Sequence, residues 1–269
     1  MMHRAFILKS WDEQIHTFKH NLWKLRIRPT KKAVHEIRVA IKEIRSFLRL
    51  KKAVTGIPVS KEFDIIDLLF KTTGRQRDFE MSTSLLSRYI QRENINAVHF
   101  KKILQVDCRI TRRWTKEASL NFDENILQIF TREIQAAISP YTEDELIRKI
   151  KMLVHKILLK TAKLSVDLKK NVHEIRKLLK DPYYWITSAP GNIMTSESRI
   201  TAFKKLLNSL GDWQDRFIFL KKISRYKKEF AVKSNSEFVT LKKLEETVKK
   251  EQADLFHKIR ANLKELLAE

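Results

Sequence analysis

The sequence predicts an all-α protein, and three observations carry that expectation. The 269 residues hold only 4 Gly and 5 Pro, too few to turn the hairpins of a many-stranded sheet. Those few residues fall at punctuation points: Pro29, Gly56 with Pro58, Gly74, Pro140, Pro182, Pro190 with Gly191, and Gly211. Between them run long stretches of Leu, Ile, Lys and Glu with apolar residues three and four apart, the period of a helix with one buried face.

The elements follow in order. Residues 3–28 read as one helix stopped by Pro29. Thr30 can cap the next, whose Val34, Ile37, Ile41, Ile44 and Leu48 form its core face. Gly56 and Pro58 end it. A helix over 61–73 is expected to stop at Gly74, with another starting near Arg77. A long basic helix covers 94–118, where Arg109, Arg112 and Arg113 join Lys101 and Lys102. A shorter one runs 123–138 to Pro140. The order then restarts: a helix over 142–166, one that Asp181-Pro182 ends or kinks, the loop SAPGN (188–192), helices over 196–210 and 212–230 on either side of Gly211, and an amphipathic helix over 236–267.

The restart is a repeat. VHEIR occurs at 34–38 and again at 172–176, and GRQRD (74–78) matches GDWQD (211–215) on both Gly and Asp. Two signatures at nearly equal offsets point to duplication. The expectation is a first repeat over 1–139 and a second over 140–269, each a four-helix antiparallel unit with short loops.

The motif has chemistry of its own. In HEIRVAIKEIRSFLR (35–49), Arg38, Lys42, Arg45 and Arg49 fall at about −60°, −20°, −80° and −40° from His35 on a helix. The Ile and Leu positions fall on the opposite side, so one face is core and the other a cationic ladder with rungs about 5–6 Å apart. Glu36 and Glu43 lie on a flank and do not neutralise it. Like charges at this spacing destabilise a helix, and a linear polyanion laid along them would relieve that. Arg suits phosphate through its bidentate fork, Lys adds a point charge, and a His contact would be pH-sensitive.

Composition agrees. The formal net charge is +23, from 55 Lys and Arg against 32 Asp and Glu, well beyond the roughly 2–8 charges that solubility asks of a small domain. An anionic partner is expected. Cys108 is the single cysteine, which fits a reducing compartment. The N-terminal segment does not read as a signal peptide, and IIDLLF (65–70), broken by Asp67, is too short to span a bilayer. A cytoplasmic location without membrane association is expected.

HEIRVAIKEIRSFLRLKK resembles the opening signature of the conserved histidine α-helical domain (CHAD) family. NVHEIRKLLKDPYY resembles that family's second-half signature, and GRQRD and GDWQD resemble the segments that follow each. The likeness runs over nearly the whole chain. It implies two pseudo-symmetric four-helix halves forming one domain, with a basic cavity or surface between them, and binding of inorganic polyphosphate without catalysis. Polyphosphate granules or polyphosphate-metabolising enzymes would be associated partners. Carried over by position, the binding residues are His35, Arg38, Lys42 and Arg45 in the first half, and His173, Arg176, Lys177 and Lys180 in the second. Arg49 extends the first stripe by geometry. The second departs from the family pattern, with Tyr183 where an Arg is usual, Tyr184 after it, and Pro182 before them. Its ladder is expected to be shorter, and the first to be the stronger binder.

The alternatives are weaker. A nucleic-acid binder could use the same basic surface, but the stripes carry few interleaved aromatics and no groove-reading motif. Glu13, His16 and His20 lack the geometry of a metal site, and Tyr183-Tyr184-Trp185 reads as core rather than as a base-stacking platform. Asp78 and Asp215 are expected to cap helices or orient basic side chains, which leaves thin support for a magnesium-dependent enzyme. No cofactor and no catalytic residue is expected.

Overall fold

The computed structural model describes residues 5–60, 63–189, 195–230 and 236–268. Among them are nine α-helices: α1 (Ala5–Ile27), α2 (Lys31–Thr55), α3 (Phe63–Glu93), α4 (Val98–Leu120), α5 (Asn125–Ile138), α6 (Glu143–Ser165), α7 (Leu168–Thr187), α8 (Glu197–Glu229) and α9 (Ser236–Ala268). No described helix is long and apolar enough to cross a membrane. Consecutive helices pair as α1 with α2, α3 with α4, α6 with α7 and α8 with α9. The two sequence halves meet where α2 packs on α7 and α3 on α8, while α5 lies against α1 and α2.

Helix α2 forms as its sequence dictates. The Thr30 hydroxyl accepts a hydrogen bond from the Ala33 amide at 3.2 Å, satisfying one of the unpaired donors of the first turn. Gly56 ends the helix in the left-handed conformation at φ 75°, which costs glycine little. Val34, Ile37, Ile41, Ile44 and Leu48 are all buried.

Three expected breaks do not occur. Helix α3 runs through Gly74 and α8 through Gly211 without interruption. Neither glycine has a positive φ, and each costs its helix only about 1 kcal/mol against Ala, which the packed lengths on both sides offset. Helix α7 continues through Pro182 to Thr187. The turn after the proline is fixed by tertiary contacts: Trp185 and Ile186 are buried, and the Trp185 indole N–H donates to the Ser46 carbonyl at 3.0 Å. Of SAPGN, only Ser188 and Ala189 lie within the described residues.

The apolar interior divides into two clusters, and neither follows the repeat boundary. The larger unites α1, α2, α5, α6 and α7 with the first turns of α3 (Ile66, Leu69) and α8 (Ala202, Phe203, Leu206, Leu210) and the end of α9. The smaller joins the last turns of α3 (Leu85, Leu86, Tyr89) and α8 (Phe219, Ile223, Tyr226) with the start of α4 and of α9. Along α3 from Leu69 to Leu85, and along α8 from Leu210 to Phe219, no apolar side chain is fully buried between those ends. A polar waist therefore separates the two cores, and both Gly-x-x-x-Asp segments cross it.

Candidate functional site

The waist is where the two ladders meet. Arg38 and Lys42 on α2 stand close enough to Arg176 and Lys180 on α7 for the four charges to act on one another. Helix α3 adds Arg77 and Asp78, and α8 adds Asp215 and Lys222.

The two carboxylates are engaged by cations. Arg77 grips Asp215 bidentately, with Nη1 and Nη2 donating at 2.5 and 2.8 Å, and Nη1 also reaches Asp78 at 3.4 Å. Burial alone would lower the Arg77 pKa, but these bonds and charges raise it above the ordinary value. Burial pushes the Asp78 carboxyl up, against the pull of Arg77 and Arg38. Both acids lie inside helices, so neither is a cap; they hold basic side chains.

Arg38 is anchored within the waist. Its Nη1 donates to the Phe70 carbonyl at 2.6 Å, and the guanidinium stacks 4.2 Å from the centre of the Phe70 ring. A side chain at Gly74 would put its first carbon 2.8 Å from that Nη1. Gly74 is thus there for close approach, not for a turn. At Gly211 a first carbon meets nothing within 4 Å.

Lys42, Arg176 and Lys180 make no hydrogen bond or ion pair among the described residues. Burial, with the neighbouring cations adding to it, pulls Lys42 down to about 8 and Lys180 to about 7. Burial also lowers Arg176 and takes Arg38 down to about 10. Lys222, half-buried with its Nζ 3.0 Å from the centre of the Phe79 ring, is drawn down by that burial to about 8. Glu43 offers Lys42 only part of a neutralising charge near neutral pH, because burial pushes its carboxyl up to about 7 despite Lys42.

The remaining sequence-predicted residues sit elsewhere or are already engaged. Arg45 pairs with Asp67 at 2.9 Å and packs over Phe63 and Phe70. Arg49 pairs with Asp181 across the α2–α7 contact at 2.5 Å. His35 is exposed at the edge of the cluster, and His173, also exposed, lies 3.2 Å from the Gln214 amide oxygen. Lys177 is exposed, with Glu174 at 3.9 Å. Of the Lys and Arg rungs of the two ladders, those that are half-buried with no hydrogen bond or ion pair among the described residues come one from α2 and two from α7.

Sequence reasoning missed Arg77 and Lys222. Arg77 is one of three positions at which the aligned segments differ, matched with Gln214 in the second copy. Lys222 carries no such signal; the equivalent position in the first half is Leu85, a core residue.

Taken together, the waist is a half-buried, cation-rich region between two apolar cores, suited to a ligand that brings several negative charges in a row. A family model described as the CHAD domain matches residues 9–224. The crystal structure of the CHAD domain from the plant Ricinus communis superposes with a TM-score of 0.74 at 18% identity, over 97% of this chain and 91% of that one. Among curated proteins none matches the chain.

Proposed function

The chain belongs to the CHAD domain family, and on that premise we propose that it binds inorganic polyphosphate, without catalysis, in the waist between α2, α3, α7 and α8. The single observation that carries this reading is the unengaged set Lys42, Arg176 and Lys180, half-buried together with lowered pKa values. Cations held so close without a direct ion-pair partner, with Asp78, Asp215 and Asp181 only partly offsetting them, cost stability, and a polyanion in the waist removes that cost. Arg38 and Arg77 are pre-positioned by Phe70 and by Asp215, so little freedom is lost when phosphate oxygens reach them. Asp78 and Asp215 serve that positioning, which leaves no evident task for them in holding a catalytic metal. Granules or enzymes that carry polyphosphate would meet the protein through this ligand.

A competition experiment tests the reading. Long-chain polyphosphate is bound at physiological salt and challenged with RNA and heparin at equal charge. Polyphosphate should be retained, because half-buried cations are reached more readily by a bare phosphate chain than by one carrying sugars and bases. Efficient displacement by RNA would point to a nucleic-acid binder instead.

A further inference from the structure

Helix α4 adds no cation to the waist, only Asp107 beside Lys222, yet it carries a cationic stripe. Arg109, Arg112, Arg113 and Lys116 fall within about 100° of one another around its axis. They face the start of α2 across two adjoining depressions of about 400 and 530 Å³, and both depressions are lined by Lys31 and Arg112. Arg28, Arg113 and Lys116 complete the lining charge of the first, and Arg109 and the carboxylate of Glu80 that of the second.

The floor of this groove is built rather than incidental. Buried Glu80 accepts from Arg112 Nε and Nη2 at 3.2 and 3.0 Å. The Gln76 amide N–H₂ donates both to Glu80 at 3.0 Å and to the Pro29 carbonyl at 3.0 Å. Arg112 is thereby fixed against the α1–α2 turn. Arg28, Arg109, Arg113 and Lys116 have no ion-pair partner among the described residues, so the groove keeps its positive charge.

The groove is continuous with the waist. Lys31 falls about 40° from His35 around α2 and about 17 Å along the axis from Lys42. Lys31, His35, Arg38 and Lys42 therefore form one stripe that starts in the groove and ends in the waist. We infer that the groove on α4 is a second subsite for the same linear polyanion, taking the part of a long polyphosphate that leaves the waist past His35. This rests on the polyphosphate reading above. The consequence is selection for length: a chain that spans both subsites gains contacts that a short one lacks.

The test compares tripolyphosphate with long-chain polyphosphate. The groove variant carries Arg109→Glu, Arg113→Glu and Lys116→Glu, all exposed positions. A control with the same charge change carries Lys242→Glu, Lys243→Glu and Lys250→Glu on the exposed face of α9. The groove variant should bind long chains about tenfold more weakly than the control does and tripolyphosphate equally well. Equal long-chain affinity in the two variants, or an equal loss for tripolyphosphate, overturns the groove and leaves the waist standing. If the unaltered protein binds neither ligand, the polyphosphate reading itself fails and the groove with it.

Discussion

The two ladders share their first step, His-x-x-Arg, and diverge beyond it. On α2 the rungs are more numerous, but most are held by the protein: Arg38 by Phe70, Arg45 by Asp67 and Arg49 by Asp181. On α7 the rungs are fewer, yet Arg176 and Lys180 are both unengaged. The difference teaches that the binding capacity of a cationic stripe is set by how many of its charges the fold has not already paired. A longer ladder can be the more structural one.

The largest expected effect contrasts unengaged with engaged charges. Arg176→Glu with Lys180→Glu should weaken polyphosphate binding about a hundredfold or more, with the helical circular dichroism signal retained. Arg45→Gln with Arg49→Gln should change affinity only a few-fold, but lower unfolding free energy by about 1–2 kcal/mol for Asp181, left without its partner, and by less for Asp67, which keeps Lys71 at 3.5 Å. If the second pair weakened binding more than the first, the comparison would be inverted.

Next comes pH. Lys180 sits at about 7 and Lys42 at about 8 in the ligand-free protein, and a polyanion favours their protonated forms. Affinity should therefore fall several-fold as pH rises from 7 to 9. A profile that stays flat across this window would sink the role of these lysines.

Stability gives the opposite sign. The folded pKa of Lys180 lies below its ordinary 10.5, so between about 10.5 and 7 the unfolded chain binds the proton and the folded one does not. Stability contributed by this position therefore falls as pH falls through that window, and the cost is fully present below about 7. Lys180→Met should raise unfolding free energy at pH 7 by about 1 kcal/mol and leave it little changed near pH 10.5. Denaturant titration at the two pH values measures the difference.

The smallest effect separates the two glycines. Gly211→Ala should stabilise the protein by about 1 kcal/mol through helix propensity, since its new carbon meets open space. Gly74→Ala should lose that gain, because it crowds the Arg38 guanidinium off the Phe70 carbonyl. Equal stabilisation by both would show that Arg38 is not held as described.

Much of this was legible in the sequence. Glycine and proline scarcity gave the class, and the apolar spacing on α2 placed Ile37, Ile41 and Ile44 in the core. The repeated His-x-x-Arg step located the helices that face each other. The false stops at Gly74 and Gly211, and the end allowed at Pro182 as the alternative to a kink, arose because local propensity costs only a few kcal/mol, which packing around Trp185 and the two cores overrides. The pairing of Arg49 with Asp181, 132 residues away, and of Arg77 with Asp215 could not be read, because charge partners across a fold leave no local pattern. The polar waist itself was hidden for the same reason: it depends on two long helices crossing between cores that each draw on both repeats.

The central claim is that phosphate chains enter the waist and charge lysines that are partly neutral there. Titration calorimetry of long-chain polyphosphate at pH 8, in two buffers of different ionisation enthalpy, measures this directly. The account predicts uptake of about one to two protons on binding, falling by most of one in Lys180→Arg. Exposed lysines and arginines are already protonated at that pH, so binding with no proton uptake, or with uptake that Lys180→Arg leaves unchanged, would place the polyanion on the outer surface and contradict the account.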